Sequence, residues 1–97
     1  MYAFIEGIVE YKSAGELVIN AGGVGYLLLC SQSTLSAAPP RGEFTRIYTH
    51  LSVREDAMEL FGFTSQEEKA MFLRLTSISG IGPRTALGVL AAMPLPD

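Results

Sequence analysis

The residues best suited to chemistry lie in one string, Ile78-Ser79-Gly80-Ile81-Gly82-Pro83-Arg84-Thr85-Ala86. Two glycines strip side chains from a turn, so backbone N–H groups there can approach an anion closely. Pro83 suits the first position of a helix, where its missing N–H costs nothing. The free amides and the dipole at a helix start favour a phosphate. Arg84 and Thr85 fall in that first turn, where the guanidinium adds a direct contact, and Ile81 is expected to tuck inward and lock the turn. The chemistry predicted for Gly80, Ile81, Gly82, Arg84 and Thr85 is a grip on the DNA backbone, which fixes position and is blind to base sequence. The plainer alternative is that the glycines only cap one helix and open another, since helix C-caps are often glycine. Against it, the pattern hydrophobic-x-Gly-hydrophobic-Gly-Pro-basic is much rarer by chance than a lone Gly-x-Gly.

A second feature is Arg54-Glu55-Asp56, at a break between two strand-like segments. Adjacent carboxylates on a hairpin tip are usually a solvated turn. Beside a backbone grip, Glu55 and Asp56 acquire another reading, because negative charge presented to phosphates repels strands and can guide them around a point. Other reactive residues are few. His50 is the sole histidine and sits mid-strand, as a packed or edge residue, and Cys30 reads as a small core hydrophobe. No metal-ligand cluster and no phosphate-binding P-loop is present, so the expectation is a non-enzyme with no catalytic residue, no metal and no cofactor.

The elements that position these residues divide at Thr64. Tyr2–Tyr11, Leu17–Ile19, Val24–Cys30, Glu43–Val53 and Ala57–Phe63 read as five strands. Ser13-Ala14-Gly15 and Gly22-Gly23 mark turns, and Gly25 suggests a bulge or close backbone approach. Ser31–Ala38 is a connector of weak helical character stopped by Pro39-Pro40. Five short strands with glycine corners suit a closed barrel, an OB-fold first and an SH3-like barrel second. Thr64-Ser65-Gln66-Glu67 then has the form of a capping box, with Thr64 as N-cap and Glu67 at N3. Met71, Phe72, Leu75 and Ile78 follow at helical spacing, and Gly80-Ile81-Gly82 ends that helix. Ala86, Leu87, Leu90 and Met93 form the stripe of the next helix before Pro94 and Pro96 stop it. The expected architecture is a five-stranded OB-fold barrel domain over residues 1–63 with an acidic tip, then a helical hairpin over 64–97, part of a second domain.

The 97 residues fit one small domain or a domain and a fragment. Hydrophobic residues make up 48% and charged residues 18%, which excludes disorder and hints at apolar surface buried against another subunit. No apolar run reaches 18 residues, no signal peptide opens the chain, and one cysteine allows no internal disulfide, so a reducing, cytoplasmic setting is expected. The net charge of −3 argues against a simple DNA binder, which usually carries a basic excess. Backbone amides and one or two cations need little net positive charge if the signs are segregated onto separate faces.

Several strings together carry a resemblance. Gly22-Gly23-Val24-Gly25-Tyr26, Tyr48-Thr49-His50-Leu51, Val53-Arg54-Glu55-Asp56-Ala57, Leu60-Phe61-Gly62-Phe63 and Ser79–Leu87 occur in the order and spacing of the RuvA family. The resemblance implies an OB-fold followed by a domain with two helix-hairpin-helix motifs. It also implies a homotetramer that holds a four-way Holliday junction open, loads the RuvB motor ATPase for branch migration in recombination and repair, and works with the RuvC resolvase. By this resemblance Glu55 and Asp56 match an acidic pin, and Gly80, Ile81, Gly82 and Arg84 match the first backbone clamp, where the family commonly carries lysine in place of Arg84. The chain ends at Asp97, ahead of the second clamp, the linker and the carboxy-terminal domain expected to meet the motor. Two other readings stand beside it. One is a generic single-strand-binding OB module stacking bases on Tyr2, Phe4, Tyr26, Phe44, Tyr48, Phe61 or Phe63, most of which are expected to fill the core. The other is an oligomerisation scaffold with no DNA role.

Overall fold

The computed structural model describes residues 2–92. Met93, Pro94 and Pro96, expected to complete and stop the last helix, lie outside the described residues. The elements run β1 (Phe4–Ser13), β2 (Glu16–Ala21), β3 (Val24–Leu29), α1 (Gln32–Ala37), β4 (Phe44–Val53), β5 (Met58–Phe63), α2 (Gln66–Thr76) and α3 (Pro83–Ala92). The five strands close a barrel in the order β1-β2-β3-β5-β4, with β4 returning to β1. All pairings are antiparallel except β3 with β5, which meet in parallel at Leu29 and Phe61. A first strand shared between two neighbours and a parallel β3–β5 closure give the OB-fold rather than the SH3-like alternative.

The strand β1 makes that sharing possible. Ile5, Gly7 and Val9 face inward while Phe4, Glu6 and Ile8 face out. Phe4, one of the aromatics most of which were expected to fill the core, thus faces out: the inward set is interrupted by a glycine, which hides the period-2 pattern. Gly7 is required there, because a Cβ would collide with the backbone carbonyl of Asn20 on β2. Gly25, by contrast, pairs regularly with Asn20 and has room for a side chain, so it marks neither bulge nor close approach. The register instead slips between Val9 and Tyr11, where β1 curves from β4 toward β2. The Gly22-Gly23 turn is as expected, with φ of 64° and 93°, and Asn20 Oδ1 accepts from Gly23 N at 2.9 Å.

Two clusters make the core. Val9, Leu17, Ile19, Leu28 and Ile47 fill the barrel with Ile5, Cys30, Leu35 and Ala38. Phe61, Phe63, Phe72, Ala86 and Leu90 form the second, which binds the helices to the β5 side. Phe72 is its centre, with ring centroids 5.1 Å from Phe61 and 4.9 Å from Phe63. Of the aromatics expected mostly inside, Phe61 and Phe63 are buried, but Tyr2, Phe4 and Phe44 are exposed. The reason is register: Phe4 and Ile8 stand opposite Tyr48 and Phe44 on the outer face of the β1–β4 pair.

The connector is a true helix, α1, with Ser31 as N-cap accepting from Thr34 N. The capping frame of α2 lies one residue later than expected. Ser65 is the N-cap and accepts from Glu68 N at 3.1 Å, so the box is Ser65-Gln66-Glu67-Glu68. Burial selects this frame. Glu68 is only 2% exposed and accepts from Thr34 Oγ1, from Ser31 Oγ at 3.4 Å and from Thr64 N at 3.3 Å, tying α2 to α1, whereas Glu67 points to solvent. The helix also ends earlier, at Thr76, with Ser77 as its C-cap. Thr76 Oγ1 donates to Phe72 O and Ser77 Oγ to Arg74 O, so hydroxyls compete with the helical ladder. Ile78 therefore lies past the helix and is exposed, not part of its stripe.

Candidate nucleic-acid interface

Between α2 and α3 the chain makes a separate turn in which Ile81 N donates to Ile78 O at 3.1 Å. Gly80 takes φ +89° at the third position, as a type II turn demands, a conformation that β-carbon-bearing residues resist. Gly80 thus shapes this turn rather than ending α2. Ile81 is half-buried and packs on the second core cluster, which anchors the turn from below. Gly82 leads into α3, its carbonyl accepting from Ala86 N at 3.0 Å, and Pro83 is the first helical residue. The amides of Arg84 and Thr85 lie in the first turn, where the helix supplies no partner. Both residues are exposed.

The strand tip is a two-residue loop. Arg54 N donates to Ala57 O at 2.7 Å and Ala57 N returns to Arg54 O at 3.4 Å, leaving Glu55 and Asp56 outermost and exposed. Val53 and Met58, which flank the tip, are also exposed.

The two features are neighbours. A cleft of about 220 Å³ is lined by Arg54 and Glu59 from the tip's strands and by Gly82, Pro83, Arg84 and Thr85 from the start of α3. Glu59 joins them. Its Oε1 accepts from Arg54 Nη2 at 2.8 Å and its Oε2 from Arg84 Nη2 at 3.2 Å. Of the sequence-predicted residues, Gly82, Arg84 and Thr85 line the cleft. Gly80 and Ile81 support it from the adjoining turn, and Glu55 and Asp56 project beyond it. Glu59 was missed in the sequence. The available signal was a lone carboxylate in the otherwise apolar strand Met58–Phe63, which requires a cation or water. The buried Glu68 was missed for the same reason, since its partners lie 34 and 37 residues away.

The remaining reactive groups are quiet. Burial pushes the Cys30 thiol up to about 12, and its Sγ donates to Leu28 O. His50 lies beside Phe72 at 6.1 Å, and its pKa is lowered by burial and then by the nearby Lys69. Among the described residues no group of three His, Cys, Asp or Glu side chains could hold a metal, and no helix is long and apolar enough to cross a membrane.

The family model for the RuvA N terminal domain matches residues 1–62. The chain belongs to the RuvA family. It is 41% identical over all 97 residues to a Holliday junction branch migration complex subunit RuvA of Prosthecochloris aestuarii, covering 48% of that protein. Proteins of the same description from Acetivibrio thermocellus and Chlorobium luteolum are 44% and 43% identical over 96% and 100% of the chain, which covers 46% and 48% of their lengths. The chain spans about half the length of the curated relatives it matches. The RuvA family model covers the barrel as far as Gly62, and the similarity to the Prosthecochloris aestuarii and Chlorobium luteolum proteins extends over α2, the glycine turn and α3.

Proposed function

We propose that this RuvA-family chain binds four-way junction DNA, gripping the sugar-phosphate backbone with Gly80, Ile81, Gly82, Arg84 and Thr85. Glu55 and Asp56 act as an acidic pin that repels strands at the crossover. In this reading residues 1–63 are the barrel domain and 64–97 begin the helix-hairpin-helix domain. The chain serves as the non-catalytic subunit of a branch-migration complex in recombination and repair. Its proposed partners are three further copies in a homotetramer, the RuvB motor and the RuvC resolvase.

One observation carries the proposal: the exposed first turn of α3 opens beside the acidic tip, with a guanidinium on each side of one cleft. Arg84 at the start of α3 and the outermost Glu55 and Asp56 support a local division between grip and repulsion despite the net charge of −3. Phosphate contact at the helix start draws the backbone in, and the carboxylates beyond it limit how far strands can approach. Assembly finds support in the outward Phe4, Ile8 and Phe44, the last 64% exposed, apolar groups set around the Glu6–Arg46 ion pair on a face that a second copy can cover.

The same aromatics favour one other reading, single-strand binding by stacking. Titration of the chain against a four-way junction, a matched duplex and a single strand at about 0.1 M salt separates them. Preference for the junction supports the proposal. Preference for the single strand, lost in Phe44→Ala, supports stacking.

A further inference from the structure

The cleft between the tip and α3 contains one anion of the protein's own. Each oxygen of Glu59 takes one guanidinium, Oε1 that of Arg54 and Oε2 that of Arg84. A DNA phosphate offers the same kind of acceptor, two oxygens that take charge-assisted hydrogen bonds from an arginine fork. We propose that Glu59 is an internal competitor for the phosphate at Arg84 and sets the affinity of the interface by how much of that cation it withholds. This rests on the clamp reading given above and adds to it the residue that tunes the grip.

The three members differ in their freedom. Glu59 belongs to β5, paired with Ser52 of β4, and its side chain is 20% exposed. It is fixed to the barrel. Arg84 is 74% exposed and makes the longer of the two bonds, so it is the member that can turn outward. Arg54, half exposed and 2.8 Å from the other oxygen, remains to neutralise Glu59 when Arg84 leaves. Transfer of Arg84 from carboxylate to phosphate exchanges one charge-assisted hydrogen bond for another. The competitor therefore weakens the grip without abolishing it. Because the contact concerns phosphate alone, the effect is the same for any base sequence and for junction and duplex alike.

An exposed ion pair of this kind corresponds to about threefold in a binding constant. The test is a salt-dependent titration of the full-length gene product with a four-way junction and a duplex, starting at about 0.1 M salt. Four variants are compared: Glu59→Gln, Arg84→Gln, the double variant, and Glu67→Gln as a charge-matched control on the exposed opening turn of α2. Glu59→Gln is expected to tighten both ligands by about threefold, Glu67→Gln by much less, and the gain is expected to vanish in the Arg84→Gln background. Weaker or unchanged binding by Glu59→Gln overturns the proposal, as does a gain that survives the loss of Arg84. The underlying reading is tested separately by Arg84→Gln alone. If that variant loses affinity while Glu59→Gln gains none, the clamp stands and the competitor falls. If it loses nothing, both fall.

Discussion

Phe72→Ala tests whether barrel and helices form one cooperative body. Phe72 is 1% exposed and packs on two buried phenylalanines of β5, so truncation removes a whole ring from the cluster that holds α2 and α3 in place. Such a cavity costs about 3–5 kcal/mol, which includes about 0.5–1.5 kcal/mol for each lost aromatic pair. A chain of this size has a total stability of about 5–15 kcal/mol, so the loss is a large share of it. The assay is urea unfolding followed by two probes. All four tyrosines lie before residue 49, in the barrel, whereas the far-ultraviolet helical signal comes mostly from α2 and α3. Both midpoints are expected to fall together with an unchanged slope. A tyrosine midpoint that stays in place while the helical signal melts early refutes the reasoning, as does a loss below about 1 kcal/mol. The cleft depends on the same contacts, since only this packing brings Arg84 to Glu59.

Three other outcomes follow from the geometry. Glu55→Gln with Asp56→Asn is expected to tighten junction binding by about tenfold, from two like charges removed near phosphates, and unchanged or weaker binding in the same titration counts against the pin. Gly7→Ala is expected to lower the melting temperature by more than about 10 °C, because its Cβ meets the carbonyl of Asn20; a melt within two or three degrees of the parent refutes the close approach. For His50, a folded pKa below the ordinary value of 6.5 means that the unfolded chain binds the proton more readily. Its contribution is therefore complete above pH 6.5 and declines as the pH falls below it, before the carboxylates titrate. His50→Gln is expected to flatten the fall in stability just below pH 6.5, and an unaltered profile shows that burial of the imidazole is immaterial.

Much of the barrel was legible because its signals are local. Glycine pairs, β-branched runs and Pro39-Pro40 mark strand ends and the connector's stop without reference to the rest of the chain. The turn before α3 was legible for the same reason, down to Pro83 at its first position. What failed depended on tertiary partners. The capping frame shifted from Thr64 to Ser65 because Glu68 finds hydroxyls on α1, and nothing near Thr64 announces that. The outward face of β1, with Phe4 on it, was hidden because Gly7 in the inward set carries no hydrophobic signal. The end of α2 moved from Gly80 to Thr76 because hydroxyl back-bonding stops a helix less visibly than glycine does. Glu59 was beyond reach, as its meaning requires Arg84, 25 residues away, to be folded beside it.

The lone thiol gives this protein an internal clock. Cys30 is 3% exposed and burial pushes its thiol up to about 12, so the folded barrel keeps it protonated and out of reach of solvent. An alkylating reagent therefore reacts at a rate set by how often the barrel opens, with no second cysteine to confuse the count. Slowed labelling in the presence of DNA then measures how far a ligand at the proposed cleft, by the opposite end of β5, restrains the breathing of the barrel's interior.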